Sequence, residues 1–362
     1  MDTTDIATQK EKIQKVWKKR PLIIAGPCSA ETEEQVMTTA LGLQKLGKVD
    51  VMRAGIWKPR TRPGSFEGIG TKGLPWLQAA KKATGLLTTV EVATPKQVED
   101  ALTFEVDILW IGARTTVNPF SVQDIADALR GVDVPVLIKN PLNPDLELWV
   151  GAVERIDHAG IKDIGLIHRG FASYGNTEYR NAPMWHLAIE MKRRYPEMLF
   201  INDPSHISGR RDILLSVAQR AIDLDYDGLI VETHCTPDKA WSDAKQQITP
   251  EQFGKMLDEI VWRKEYKANI DHQTLEKYRQ QINQLDDEML QILSQRMKVS
   301  ENIGIYKKEN GITILQPTRW NEILEKAIED GKKFGLSEEF IEKYFNAVHM
   351  ESIAHQNKVM ND

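Results

Sequence analysis

The sequence predicts a (β/α)8 barrel followed by a small all-α domain, and three observations carry that expectation. Eight short apolar, β-branched runs alternate with helical segments across about 240 residues, the usual size of such a barrel. Fifteen of 16 prolines and 19 of 23 glycines fall in residues 1–264, so turn-forming residues nearly vanish beyond that point. From there an apolar periodicity of three- and four-residue steps runs for about 35 residues, the mark of one long amphipathic helix. The expected organisation is a barrel over 1–264, a linker over 265–273 and a helical domain over 274–362.

The strands are expected at Leu22–Ala25, Val49–Arg53, Leu86–Val92, Ile108–Ala113, Val134–Lys139, Ile164–Ile167, Leu199–Asn202 and Leu229–Glu232. Segments such as Glu33–Leu46, Val122–Leu129 and Met184–Arg194 supply the crossover helices of parallel βαβ units. A doubly wound open sheet is the competing architecture, but no GxGxxG follows the first strand. Net charge is −5, split as −1 for residues 1–264 (34 Lys+Arg against 35 Asp+Glu) and −4 for the rest (13 against 17). Such balance excludes any general pull towards nucleic acid or an anionic membrane. Two cysteines, Cys28 and Cys235, are too few for a disulfide scaffold and fit a reducing cytoplasm. No apolar stretch reaches the length of a membrane span, and the first 20 residues lack an apolar signal core.

In a barrel the chemistry gathers where strands run out into loops. Those ends read GPCS (26–29), RAGIWKPRT (53–61), IGAR (111–114), IKN (138–140), IHRG (167–170), NDPSH (202–206) and VETH (231–234). Four of the seven carry Arg or Lys, and cations converging on one mouth imply a small polyanionic, phosphorylated ligand. Cys28, His206, Glu232 and Asp243 form a second set, a thiolate, an imidazole and two carboxylates. These suit a divalent transition ion such as Mn2+, Fe2+, Co2+ or Zn2+.

Together, GPCSAE, RAGIWKPRTRPGSFEGIG, IGART, NDPSHISG and VETHCTPDKAWSDAKQ closely resemble the type I 3-deoxy-D-arabino-heptulosonate 7-phosphate (DAHP) synthases, in the branch that includes the 3-deoxy-octulosonate 8-phosphate synthases. The resemblance implies condensation of phosphoenolpyruvate with erythrose 4-phosphate, the first step of the shikimate pathway. It implies Cys28, His206, Glu232 and Asp243 as metal ligands. It also implies Lys58 and Lys139 as catalytic cations in a phosphoenolpyruvate cradle with Arg53, Arg114 and Arg169, and Asp203 beside them. Arg60 and Thr61 would contact the sugar phosphate, and Thr61 favours the heptulosonate over the octulosonate reaction. His168 departs from the pattern, standing where many relatives have an acidic residue.

In the second domain Leu275, Tyr278, Ile282, Leu285, Met289, Ile292, Leu293, Val299, Ile303 and Tyr306 form the stripe. Shorter helices are expected at Arg319–Glu329 and Glu338–Lys358, with Gly331 and Gly335 at the join and Ser337 as N-cap. Such a stripe needs a partner, so at least a dimer is expected. Arg296 and Lys307 lie 11 residues apart, about 20° from eclipsed, on the face that also carries Met289, Leu293 and Ile303. Two cations in an apolar face call for an anion. Ser352 and Gln356 share a face of the last helix.

RQQINQLDDEMLQILSQRMKVSENIGIYKK, then Arg319, then ESIAHQ, resembles the all-helical chorismate mutases. That resemblance implies an intertwined dimer converting chorismate to prephenate. Arg279 from the partner, Arg296 and Arg319 would bind the substrate with Ser352, while Lys307 and Gln356 would act at the ether oxygen. Trp320 and Gln316 depart from the pattern, where relatives commonly have Glu and Asp. Feedback inhibition of the barrel by prephenate or chorismate bound to this domain is expected beside the mutase activity, and a domain that is only a regulatory dimerisation module is the alternative.

Overall fold

The computed structural model of the chain describes residues 3–59, 64–173, 178–263 and 272–361. Two compact units divide it, Met1–Glu265 and Tyr266–Asp362. The first is a closed barrel of eight parallel strands: β1 (Leu22–Gly26), β2 (Val51–Arg53), β3 (Leu87–Val92), β4 (Ile108–Ile111), β5 (Val136–Lys139), β6 (Ile164–His168), β7 (Leu199–Asn202) and β8 (Gly228–Glu232). Each expected strand lies where the apolar run stands. Closure comes from β1 against β8, with Gly26 opposite Glu232, while Ala25 stands opposite Met52 of β2. That register sets the loop after β1 beside the ends of β2 and β8.

Strand periodicity divides the core in two. Leu22 and Ile24 turn into the barrel with Val51, Leu137, Ile201 and Ile230. Ile23 and Ala25 turn out to meet helices through residues such as Val36 and Leu43. Helix Thr3–Trp17 lies before the first strand, and its Trp17 joins the inner cluster, flooring the barrel. The crossover helices start where hydroxyl, amide or carboxylate side chains cap them: Thr32, Thr94, Asn118 and Asp145 accept from first-turn amides, and Thr249 forms a capping box with Gln252.

The second unit has three helices, His272–Glu309, Pro317–Lys333 and Glu338–Asn361. Ser337 caps the last through Phe340 N at 3.3 Å, as its sequence predicts. Pairings advance in step from Arg296–Ser352 to Lys307–Gln356 to Lys308–Val359, so the first and last helices run parallel. The long helix packs through Met297, Ser300, Gly304 and Lys307, all buried. Small residues win this face because a Cβ at Gly304 would stand 2.6 Å from Val359 Cγ2 and 3.0 Å from Gln356 Cα. The expected companions Met289 and Ile303 are instead each 43% exposed within the chain. Gly331 also differs from expectation: it lies inside the middle helix, buried against Ile341, rather than at the join.

Candidate active sites

At the C-terminal mouth of the barrel, glycines let the backbone close in. A Cβ on Gly26 would meet Arg53 O at 2.0 Å, and one on Gly55 would meet Cys28 O at 2.2 Å. The loops after β1 and β2 therefore touch. Lys58 Nζ donates to Cys28 Sγ at 2.8 Å and to Cys28 O at 2.7 Å, and Arg53 Nη2 reaches the same carbonyl at 3.4 Å. Cys28 N is held by Gln247 Oε1 at 2.9 Å.

Cys28, Glu232 and Asp243 bring one donor atom each within 4.8 Å of one another. Cys28 Sγ stands 3.4 Å from Asp243 Oδ2, and His206 Nε2 stands 3.5 Å from Glu232 Oε1. Asp243 adopts the left-handed backbone (φ 47°, ψ 37°), which a short polar side chain tolerates. The four donors expected from the sequence are thus neighbours, drawn from the ends of β1, β7 and β8 and the loop beyond. A divalent ion fits them. Glu232 Oε1 is fully buried without a hydrogen bond, ion-paired with Arg53, and a sulfur and two carboxylates converge with the His206 ring beside Glu232.

The electrostatics agree with that fit. Burial, then Glu232, push the Cys28 thiol up to about 12, against the pull of Lys58 and Arg53. Burial would raise Glu232 too, but His206, Arg53 and Lys58 hold it below its usual range. The Asp243 carboxyl is likewise held low against burial, by Arg180 first, then His206 and Lys58. Burial lowers the His206 pKa, opposed by Asp203 and Glu232. The two carboxylates are thus held towards the charged form a cation requires, while the thiol is not.

The cations stand around this cluster. Arg53 is buried, paired with Glu232 at 3.2 Å, and its Nε and Nη1 have no hydrogen-bond partner among the described residues. Lys139 Nζ donates to Asp203 Oδ2 at 2.8 Å, and Asp203 Oδ2 lies 2.8 Å from His206 Nδ1. Asp203 is held well below the carboxylate range: burial opposes this, but His206 and Lys139 prevail. Arg169 is buried, its guanidinium brought down to about 10 by burial, with Arg114 and Arg180 adding repulsion. Arg114 sits on the short helix Ala113–Thr116. Arg60 and Thr61 lie outside the described residues.

Sequence reasoning missed three supports. Trp110 is fully buried, with Arg53 at 5.0 Å and Lys139 at 5.7 Å from its ring centroid, so one aromatic ring seats two cations. Arg180 donates to Asp243 Oδ1 at 3.0 Å and to Gln246 Oε1 at 2.5 Å, and Gln246 Nε2 donates to Glu232 Oε2 at 2.7 Å. It follows the loop after β6 and carries no strand-end signature. His168, the departure in the sequence, stands apart from these donors. Its Nε2 donates to Pro183 O at 2.6 Å, its Nδ1 accepts from Tyr226 Oη at 2.8 Å, and it packs beside Phe171 and Trp185. Burial depresses it to about 4, so it is a neutral core residue.

In the helical unit, Arg296 donates to Ser352 Oγ, and Lys307 Nζ donates to Gln356 Oε1 at 3.1 Å and to Ile314 O at 2.6 Å. Burial lowers the Lys307 pKa. Four of the expected residues thus meet between the first and last helices. A cavity of about 380 Å³ beside Lys307 is lined by Val299, Asn302, Ile303, Tyr306, Ile312 and Gln316. Arg279 pairs with Glu276 at 2.5 Å on its own helix, 17 residues before Arg296, or about 25 Å at 1.5 Å per residue. Arg319 pairs with Glu322 at 2.9 Å at the start of the middle helix. Each of these two pairs locally on its own helix.

Comparison with known proteins matches the DAHP synthetase I family over residues 5–269 and chorismate mutase type II over residues 278–357. A phospho-2-dehydro-3-deoxyheptonate aldolase of Thermotoga maritima is 36% identical over 242 residues, covering 66% of this chain and 68% of that protein. A 2-dehydro-3-deoxyphosphooctonate aldolase of Desulfotalea psychrophila is 29% identical over 263 residues, covering 66% of this chain and 88% of that one. The crystal structure of the Thermotoga maritima DAHP synthase superposes with a TM-score of 0.58 at 33% identity, covering 66% of this chain and 67% of that chain.

Proposed function

The chain belongs to the DAHP synthetase I family and carries a type II chorismate mutase domain, a bifunctional transferase and isomerase; from that premise we propose how each site works and what links them. The barrel condenses phosphoenolpyruvate with erythrose 4-phosphate in a metal-dependent reaction. Cys28, His206, Glu232 and Asp243 hold a divalent ion, one of Mn2+, Fe2+, Co2+ or Zn2+, which supplies Lewis acidity to the aldehyde oxygen. The observation that carries this reading is the convergence of Cys28, Glu232 and Asp243 on one point, with Glu232 Oε1 buried and ion-paired with Arg53 but without a hydrogen bond.

The chain's own residues do the rest by position and charge. Arg53, Arg114 and Arg169, with Lys58 and Lys139, bind the phosphate and carboxylate of phosphoenolpyruvate. This fixes its nucleophilic C3 against the aldehyde carbon. Arg53 is pre-aimed because Glu232 and the Trp110 ring fix it. Lys139, Asp203 and His206 form a line of short polar contacts along which Asp203 fixes the Lys139 amine and the His206 ring. Arg60 and Thr61 receive the sugar phosphate. Greater identity to a heptonate than to an octonate relative supports erythrose 4-phosphate as the acceptor.

In the second unit Arg296 and Ser352 grip a substrate carboxylate, while Lys307 and Gln356 face the ether oxygen of chorismate. That oxygen gains negative charge as its bond to carbon breaks, so a buried cation there stabilises the transition state without a nucleophile. Arg279 from a partner chain and Arg319 complete the site. The exposed apolar stripe of the long helix, Leu285 at 62% and Ile292 at 64%, supports a homodimer of the chain. The fusion itself supports feedback, with prephenate or chorismate bound to the helical unit inhibiting the barrel. No described helix is long and apolar enough to cross a membrane; unpaired Cys28 and Cys235 support a cytoplasmic setting.

The deciding experiment follows phosphoenolpyruvate consumption with erythrose 4-phosphate and, separately, arabinose 5-phosphate, before and after chelation. Loss on chelation, recovery with Mn2+ or Co2+, and preference for the four-carbon aldehyde are the expected results. Full activity after exhaustive chelation overturns the metal assignment, and preference for arabinose 5-phosphate overturns the acceptor.

A further inference from the structure

Beside Ser352 and Gln356 stands a polar group, His349, that the substrate contacts above do not use. His349 precedes Ser352 by three residues and Gln356 by seven, so all three lie within about 60° on one face of the last helix. Its imidazole stacks on Trp320 of the middle helix, centroids 3.9 Å apart and planes at 12°. Its Nε2 is buried and has no hydrogen-bond partner among the described residues. A buried nitrogen left unbonded destabilises the free protein, so a persistent one points to a partner that arrives with the ligand. Arg296 and Lys307 face it from the long helix, and with burial they hold its pKa below the ordinary value, burial contributing most. The ring is therefore neutral at neutral pH and offers Nε2 as a single donor or acceptor.

We propose that His349, positioned by Trp320, recognises the ring hydroxyl of chorismate, replacing the carboxylate that relatives commonly carry at position 320. The inference rests on the mutase reading above and deepens it. Chorismate offers two carboxylates, an ether oxygen and one hydroxyl. Arg296 and Lys307 suit the anionic oxygens and the ether, which leaves the hydroxyl for a neutral partner. A Trp at 320 cannot take the role of a carboxylate acceptor, because its only polar atom is a donor. It supplies instead a flat surface that fixes the plane of the imidazole.

The test is a cycle between the side chain and the substrate group, run on the full chain. Chorismate and its analogue lacking the ring hydroxyl are turned over by the natural protein, His349→Leu and His349→Gln. For His349→Leu, kcat/KM on chorismate should fall at least tenfold while the value on the deoxy analogue changes less than twofold. His349→Gln, whose amide reaches the Nε2 position, should restore most of the loss. Equal losses on both substrates would mean that His349 serves packing alone and would overturn the assignment. Circular dichroism of each variant separates a folding defect from a lost contact, and the Gln variant carries the test where the Leu variant is unfolded. A natural chain without chorismate turnover would end the catalytic part of the mutase reading and leave recognition of the hydroxyl to be tested by binding. The same cycle is then read as affinity for prephenate, which keeps the hydroxyl; an affinity unchanged by both substitutions overturns the proposal.

Discussion

Replacing His168 by Phe should flatten the dependence of barrel stability on pH. His168 is fully buried, and its pKa falls from 6.5 to about 4 because burial disfavours the charged ring more than the Pro183 carbonyl favours it. In the unfolded chain the same ring takes up a proton below its ordinary pKa. Between pH 6.5 and 4 the unfolded state therefore binds more protons, and stability declines as the solution is acidified through that window. A gap of about 2.5 units at 1.36 kcal/mol each corresponds to roughly 3 kcal/mol lost between pH 7 and pH 4. Phe removes that titration, while leaving Tyr226 Oη without its 2.8 Å acceptor, so the variant should be less stable at pH 7 by about 1–3 kcal/mol. Urea unfolding of both proteins at half-unit steps from pH 4.5 to 7.5 gives two curves. They should converge towards low pH, and the other ionisable groups cancel in the difference. Curves that run parallel across the window would show that His168 is not a neutral buried ring, and the whole account of its environment would fall.

Three further outcomes follow from particular contacts. Arg180→Leu frees both Asp243 and Gln246, so Co2+ affinity, read from its visible absorption, should weaken about 10- to 100-fold with little change in unfolding temperature; unchanged affinity would remove Arg180 from the support of the metal site. Lys139→Met strands Asp203 as a buried carboxylate, which should cost about 3–5 kcal/mol in denaturant unfolding as well as abolish condensation; a loss of activity at full stability would mean that His206 alone satisfies Asp203. Lys307→Met should reduce chorismate turnover about 100- to 1,000-fold while leaving phosphoenolpyruvate consumption intact, and retention of mutase activity would sink the role given to its amine.

What the sequence makes legible, and what it hides, follows from the range over which each interaction acts. The strands are readable because each is a local run of apolar, β-branched residues, and a closed barrel then forces their ends together. Cys28, His206 and Glu232 are separated by up to 204 residues, yet become neighbours for that reason, and Asp243 joins them from the loop beyond β8. Arg180 and Gln246 are invisible to the same logic. Neither ends a strand, and what matters is a contact of 2.5 Å between two loops. Trp110 is hidden differently, for an aromatic residue in a strand reads as core, which it is, and only the geometry reveals the two cations at its ring. On the long helix, periodicity finds the apolar stripe but not which part of it packs within the chain, because Ser300 and Gly304 win the close approach by lacking bulk. His168 and His349 expose the remaining gap. Both are histidines pushed towards neutrality by burial, and both sit against aromatic rings. Yet both nitrogens of one are satisfied by Pro183 and Tyr226, while Nε2 of the other is buried with nothing to bind. Residue type and spacing are the same evidence for each. The difference between a packing histidine and a recognising one is a hydrogen bond made or missing, so it belongs to tertiary structure alone.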